Sequence, residues 1–186
     1  MKVSIEQTLK EHNDAINNLL NIKKSISESG ELIINALQKG NKIFIAGNGG
    51  SAADAQHFSA ELTGRFLKER KSLPGIALTT DTSAITAIAN DYGYENIFLR
   101  QLSGLAEPGD IFVGISTSGN STSINFSANF CKEQGICSIG LLGRDGGEAA
   151  NIFDCSVIVP VDSTARIQES HILIIHIWCM MIDEAF

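Results

Sequence analysis

Basic residues are in deficit. Fourteen Lys and Arg stand against twenty-one Asp and Glu, a net charge of −7. Surfaces that grip nucleic acid or anionic membranes depend on an excess of Lys and Arg, so neither partner is expected. The local exception, Arg65, Lys68, Arg70 and Lys71, reads as a solvated helix end running into a loop. Cysteine is also scarce: Cys131, Cys137, Cys155 and Cys179 include no CxxC spacing and sit in apolar surroundings. That argues against a thiolate zinc site and a disulfide framework, and points to buried thiols in a reducing cytoplasm. Long hydrophobic runs are missing. The stretch from Ile172 to Ile182 is about half of the roughly 20 residues a membrane span needs, and His176 interrupts it. It reads as a helix buried in the core or in a subunit interface. The start, Met1 to Glu6, lacks the apolar segment of a secretory signal, so a cytoplasmic protein is expected.

What is present suits one compact unit. At 186 residues and 44% hydrophobic, the chain can bury a full core as a single domain, residues 1–186. There is no internal repeat or Pro-rich linker, and Pro74, Pro108 and Pro160 fall where turns or strand ends belong. Apolar spacing predicts two helices in residues 1–40, one from Ile5 to about Ile26 and one from Glu31 to Gln38, closed by Gly40. From 41 to 186 the pattern changes. Short apolar runs, Lys42 to Ala46, Gly75 to Leu78, Asp110 to Ile115, Cys137 to Leu142 and Ser156 to Val159, alternate with helix-like segments. This βαβ rhythm predicts an α/β fold, a five-stranded parallel sheet covered on both faces.

In such sheets ligands collect at the carboxyl ends of strands, where loops feed helix N-termini whose free N–H groups favour anions. Two loops qualify. The first, Gly47-Asn48-Gly49-Gly50-Ser51, formally matches a dinucleotide fingerprint through Gly47, Gly49 and Ala52. That motif also wants an acidic residue about 20 positions on, at a strand end. Glu69 lies in the charged knot and Asp81 is too distant, so a nicotinamide cofactor is not expected. The second, Ser116-Thr117-Ser118-Gly119-Asn120-Ser121, offers four hydroxyls in six residues beside a flexible glycine. It suits a phosphate, although a Ser-rich helix cap would account for part of it; without a Gly-Lys-Ser/Thr ending it is not a nucleotide-hydrolysing loop.

His57 and Glu61 stand at i and i+4 on the helix after the first loop, so they share a face as an ion pair or as two ligands of one metal. In the last helix Gln168, His171 and His176 lie in or beside an apolar stretch where a His needs a polar partner, and His176 as a core histidine bonded to a backbone carbonyl is one reading. Gln168 and His176 are about 12 Å apart along the axis and about 80° around it. One metal reaches both only if the side chains lean together or different subunits supply them. A phosphate loop, a carboxylate and imidazoles together suggest chemistry on a phosphorylated sugar.

These motifs, Asn48 to Phe58, Glu61 to Arg65, Ala89-Asn90-Asp91, Ile115 to Ser121 and Ala165 to Glu169 with His176, resemble the phosphoheptose isomerases of the sugar-isomerase (SIS) domain superfamily. The likeness covers essentially the whole chain. It implies a doubly wound, flavodoxin-like domain with an N-terminal helical extension, assembled as a homotetramer with active sites at subunit boundaries. The implied reaction interconverts sedoheptulose 7-phosphate and D-glycero-D-manno-heptose 7-phosphate, the first step toward heptose for lipopolysaccharide or capsule. Carried over by position, Ser116, Thr117, Ser118 and Ser121 hold the phosphate, and Asn48, Gly49, Gly50, Asn90 and Asp91, with Glu61 and Gln168, hold the sugar. The resemblance further implies zinc on His57, Glu61, Gln168 and His176, and proton transfer by Glu61 and His176. Ala165 departs from the pattern, since some relatives are acidic there; Asp162 is a candidate replacement. A rival expectation is a non-catalytic SIS protein that binds a sugar phosphate or a replication-initiator protein, but such relatives lack the counterparts of Glu61 and His176.

Overall fold

The computed structural model describes residues 4–186; the expectation resting on Met1, Lys2 and Val3 lies outside them. Five strands, β1 (Ile43–Gly47), β2 (Gly75–Ala77), β3 (Ile111–Ser116), β4 (Cys137–Gly143) and β5 (Cys155–Val159), form one parallel sheet in the order β2-β1-β3-β4-β5. This is the doubly wound order with its topological switch between β1 and β3. The predicted runs found these strands to within a residue or so at each end. Alternation along β1 sends Ile43 and Ile45 to one face and Phe44 and Ala46 to the other, and each face has its own apolar core.

The helices are α1 (Ile5–Asn18), α2 (Lys23–Gln38), α3 (Gly50–Thr63), α4 (Thr82–Tyr92), α5 (Leu99–Leu105), α6 (Thr122–Gln134) and α7 (Thr164–Ala185). One face of the sheet carries α2, α3 and α7, with α1 packed on α7; the other carries α5 and α6. The division of residues 1–40 differs from the sequence expectation. The first helix stops at Asn18, a tight 3-10 turn covers Leu19–Ile22, and α2 then runs unbroken through Ser29 and Gly30. Those two residues resemble a break in sequence, but packing overrides them. Ser29 donates its hydroxyl back to the Ser25 carbonyl at 2.7 Å, and any side chain at position 30 would strike Met181 and Trp178 of α7. Trp178, fully buried, donates its indole N–H to the Ile26 carbonyl at 3.0 Å.

The apolarity of α7 is answered largely within this chain: Ile167, Ile174, Ile175, Trp178, Cys179 and Ile182 are buried among α2, α3 and the sheet. The basic knot is also not wholly solvated. Arg70 is buried and pairs with buried Asp183 at 3.1 Å, while donating to the carbonyls of Glu61 and Leu62 at the end of α3. Burial alone would raise the Asp183 carboxyl, but the N–H groups of Lys68 and Leu67 and the Arg70 guanidinium outweigh it and hold the group below its usual range. Sequence separation hid this anchor, since its two halves lie more than a hundred residues apart. Among the described residues no helix is long and apolar enough to cross a membrane.

Candidate active site

Two helices of the sheet's switch point begin without side-chain caps. Neither α3, preceded by Gly49, nor α6, preceded by Ser121, has a capping hydrogen bond, whereas α1 and α4 are capped by Ser4 and Asp81. The first N–H groups of α6, those of Thr122 and Ser123, give to no acceptor among the described residues and are left for a ligand, while the Ser51 and Ala52 N–H groups of α3 already give to the Asn48 and Gly49 carbonyls, so the two helix starts differ. Between them lies a cavity of about 160 Å³ lined by Asn48, Ser51, Ile115, Ser116, Thr117, Ser118 and Ser121. The hydroxyl oxygens around it already accept protein donors: Gly119 N–H gives to Ser116 Oγ and Asn120 N–H to Ser118 Oγ, each at 3.1 Å. The Asn48 amide gives to Ser121 Oγ at 2.9 Å. A hydroxyl that accepts inside the loop has its own proton to donate outward, which is the polarity an anion requires. Gly119, at φ 66°, lets the loop turn back against the Gly146 carbonyl, where a side chain would collide.

The second group forms where α3 and α7 run side by side. His57 Nε2 lies 3.2 Å from Glu61 Oε1 on its own helix and 3.2 Å from His176 Nε2 on α7. Phe66 stacks on the His176 ring at 5.4 Å. Asp54, one turn before His57, is half-buried with Oδ2 unbonded; burial pushes its carboxyl up to about 6 despite the opposing pull of His57. The sequence reading missed Asp54, Ser51 and Ser123. Asp54 was detectable, for it shares the helical stripe of Gly50, His57 and Glu61.

Zinc, implied by the resemblance, can be tested against these donors. Tetrahedral bonds of about 2.0–2.1 Å put neighbouring donors roughly 3.3 Å apart, and both measured separations match that spacing. Two imidazoles and a carboxylate suit zinc chemically. As the side chains stand, no group of three or more His, Cys, Asp or Glu among the described residues could hold a metal ion; the pairwise spacings alone carry the fit. Gln168 is not with them. Its carboxamide fills the space beside Gly50, about two turns up α3 from His57, so within one chain it stands with the Asn48-Gly49-Gly50 loop.

Other expected residues fall as follows. Thr117 lines the cavity. Asn90 and Asp91 are exposed at the end of α4 and bonded to each other at 2.8 Å. Asp162 is exposed ahead of α7, and Ala165 is exposed in its first turn. The core histidine bonded to a carbonyl is His171, not His176: its Nε2 meets the Leu142 carbonyl at 3.0 Å, and burial lowers its pKa to about 4. His12 and Arg166 both bind Glu169, tying α1 to the start of α7.

The sequence matches the SIS domain family over residues 7–143. It is 51% identical over 182 residues to a phosphoheptose isomerase of Campylobacter jejuni, covering 98% of each chain. Among solved structures, the phosphoheptose isomerase of Neisseria gonorrhoeae superimposes with a TM-score of 0.87 at 43% identity, over 96% of this chain and 98% of that one. The enzyme of Francisella tularensis superimposes with a TM-score of 0.90 at 34% identity, over 98% and 100%. The doubly wound fold agrees with these likenesses, and the chain belongs to the phosphoheptose isomerases of the SIS domain family.

Proposed function

We propose that this isomerase interconverts sedoheptulose 7-phosphate and D-glycero-D-manno-heptose 7-phosphate, supplying heptose for lipopolysaccharide or capsule. The observation that carries the reading is the pairing, along α3, of a phosphate-suited pocket at its start with His57 about two turns and Glu61 about three turns further on, where His176 of α7 meets them. That separation is on the scale of an extended seven-carbon sugar phosphate. Ser116, Thr117, Ser118 and Ser121 hold the phosphate; Asn48, Gly49, Gly50, Asn90, Asp91 and Gln168 hold the sugar hydroxyls.

Moving the carbonyl between C1 and C2 requires taking a proton from one carbon and returning one to the other through an enediol. Glu61 takes the carbon-bound proton as a carboxylate, and His176 serves the oxygen, donating as charge develops there. His57 fixes the Glu61 carboxylate from 3.2 Å. His57, Glu61 and His176 would hold zinc, with Gln168 a fourth donor only where another subunit supplies it. When bound, zinc supplies Lewis-acid polarisation of the substrate oxygens.

The assembly is a homotetramer in this reading. Support comes from an apolar groove of about 420 Å³ where the end of α1 meets α7, lined by Ile16, Leu19, Leu20, Leu173, Ile177 and Met181. Leu20 is 70% exposed there, and an apolar surface of this kind fits a second copy of the chain. The functional test is incubation of the purified protein with sedoheptulose 7-phosphate: an aldose phosphate is expected, and its absence would overturn the assignment.

A further inference from the structure

Tyr94 has no part in the reading above, yet it is bonded into the centre of the ligand loops. It opens the short 3-10 turn Tyr94–Asn96 that follows α4, just after Gly93 at φ 90°. Its ring is 56% exposed, so it contributes little to the core. Its hydroxyl nevertheless donates to Asn48 Oδ1 at 2.8 Å. From the other end of the same amide, Nδ2 donates to Ser121 Oγ at 2.9 Å and to Ser123 Oγ at 3.0 Å.

An asparagine amide has a fixed polarity: its oxygen only accepts and its nitrogen only donates. Turned over, Asn48 would present its oxygen to Ser121 and Ser123 and draw their protons away from any anion. With the phenol donating to Oδ1, the nitrogen faces the serines and Ser121 accepts; the Ser121 proton then turns to a ligand or to the more distant Ser123 Oγ at 3.4 Å. Ser116 and Ser118 are put in the same state by backbone N–H groups. Ser121 has no such backbone donor, and the Asn48 amide takes its place.

The placement of the cavities agrees. Asn48 and Ser121 stand between the 160 Å³ cavity with its hydroxyls and a second hollow of about 280 Å³, which Tyr94, Glu95, Thr122 and Ser123 complete. Tyr94 thus supports Asn48 from the side away from the hydroxyl loop.

We infer that Tyr94 is a positioning residue for phosphate: through the Asn48 amide it sets Ser121 as a hydrogen-bond donor toward the phosphoryl group. The inference rests on the phosphate role proposed for the Ser116 to Ser121 loop. The test is Tyr94→Phe, which keeps the ring and removes the hydroxyl, studied by calorimetry with inorganic phosphate and by steady-state kinetics with sedoheptulose 7-phosphate. Phosphate Kd and KM should both rise about tenfold, the scale of one lost hydrogen bond to a charged group. The value of kcat should be nearly unchanged, because the lost contact serves ground and transition states alike. Ser121→Ala should cost much less in the Tyr94→Phe background than alone, since both changes remove one donor path. Wild-type protein that binds phosphate no better than Tyr94→Phe overturns the inference and leaves the phosphate loop standing. A kcat loss with KM unchanged also overturns it. Wild-type protein that binds neither inorganic phosphate nor the heptulose phosphate overturns the loop reading and this inference together.

Discussion

At the scale of single residues the proposed mechanism places the chemistry on Glu61 and His176, each 3.2 Å from His57. Replacing Glu61 by Gln or His176 by Ala is expected to leave the fold intact and lower kcat by at least the roughly 10²-fold typical of lost acid–base catalysis. Stopped assays on folded variants, checked by circular dichroism, decide it; near-normal turnover would remove that residue from the mechanism. Asp54 illustrates a residue kept against the fold's interest. Its carboxyl is raised to about 6 by burial, so above that pH the folded state holds an unfavourable charge that unfolding relieves. Asp54→Asn should therefore melt higher than wild type at pH 8, with the difference shrinking as pH falls toward 4; an equal or lower melting point at pH 8 would contradict this. His171 gives the opposite slope. Its folded pKa of about 4 lies below the ordinary value near 6.5, so the unfolded chain binds the extra proton between those limits and stability falls as pH drops through that window. The contribution is about 3 kcal/mol across the window, and His171→Gln should flatten that part of the urea midpoint against pH.

At the scale of elements, two devices matter most. In the proposed reading the loop from Ser116 to Ser121 binds phosphate by donated protons, so Ser118→Ala and Ser121→Ala should each weaken the phosphorylated substrate by roughly 1.5–3 kcal/mol. Unphosphorylated sedoheptulose should hardly respond, and equal losses for both sugars would disprove a phosphate site. The loop between α3 and β2 is held by the Arg70–Asp183 pair, and Arg70→Ala removes the charge partner of a buried carboxylate that the Leu67 and Lys68 N–H groups still hold, at a cost of up to about 3 kcal/mol. Chemical denaturation measures that loss. These elements also show what the sequence could reveal. The strands and the loops at the ends of β1 and β3 were legible because apolar runs and glycine-hydroxyl clusters are local signals. Arg70 was not, since its partner is supplied by the far end of α7, and the continuity of α2 through Gly30 was not, since only Trp178 and Met181 explain it. The His pair was half legible: i,i+4 spacing joined His57 to Glu61, but only the side-by-side course of α3 and α7 brought His176 to them and left His171 as the core histidine. Gln168, grouped with the metal by resemblance, lies at the other end of the same helix pair.

In the whole molecule a parallel sheet whose switch point gathers the loops is flanked by a helix pair, α3 and α7, that carries the proposed acid–base groups. The proposed homotetramer would cover the apolar groove between α1 and α7, so light scattering should show a tetramer, and activity should fall on dilution below the assembly constant; a fully active monomer would contradict shared sites. The central claim is the reaction itself. Its most direct measurement is a nuclear magnetic resonance time course of sedoheptulose 7-phosphate with the purified, zinc-supplemented protein and with its Glu61→Gln variant. Signals of an aldoheptose 7-phosphate should grow to equilibrium with the wild type and stay near the uncatalysed rate with the variant. A ketose spectrum unchanged by folded wild-type protein, or equal conversion by the variant, would contradict the account.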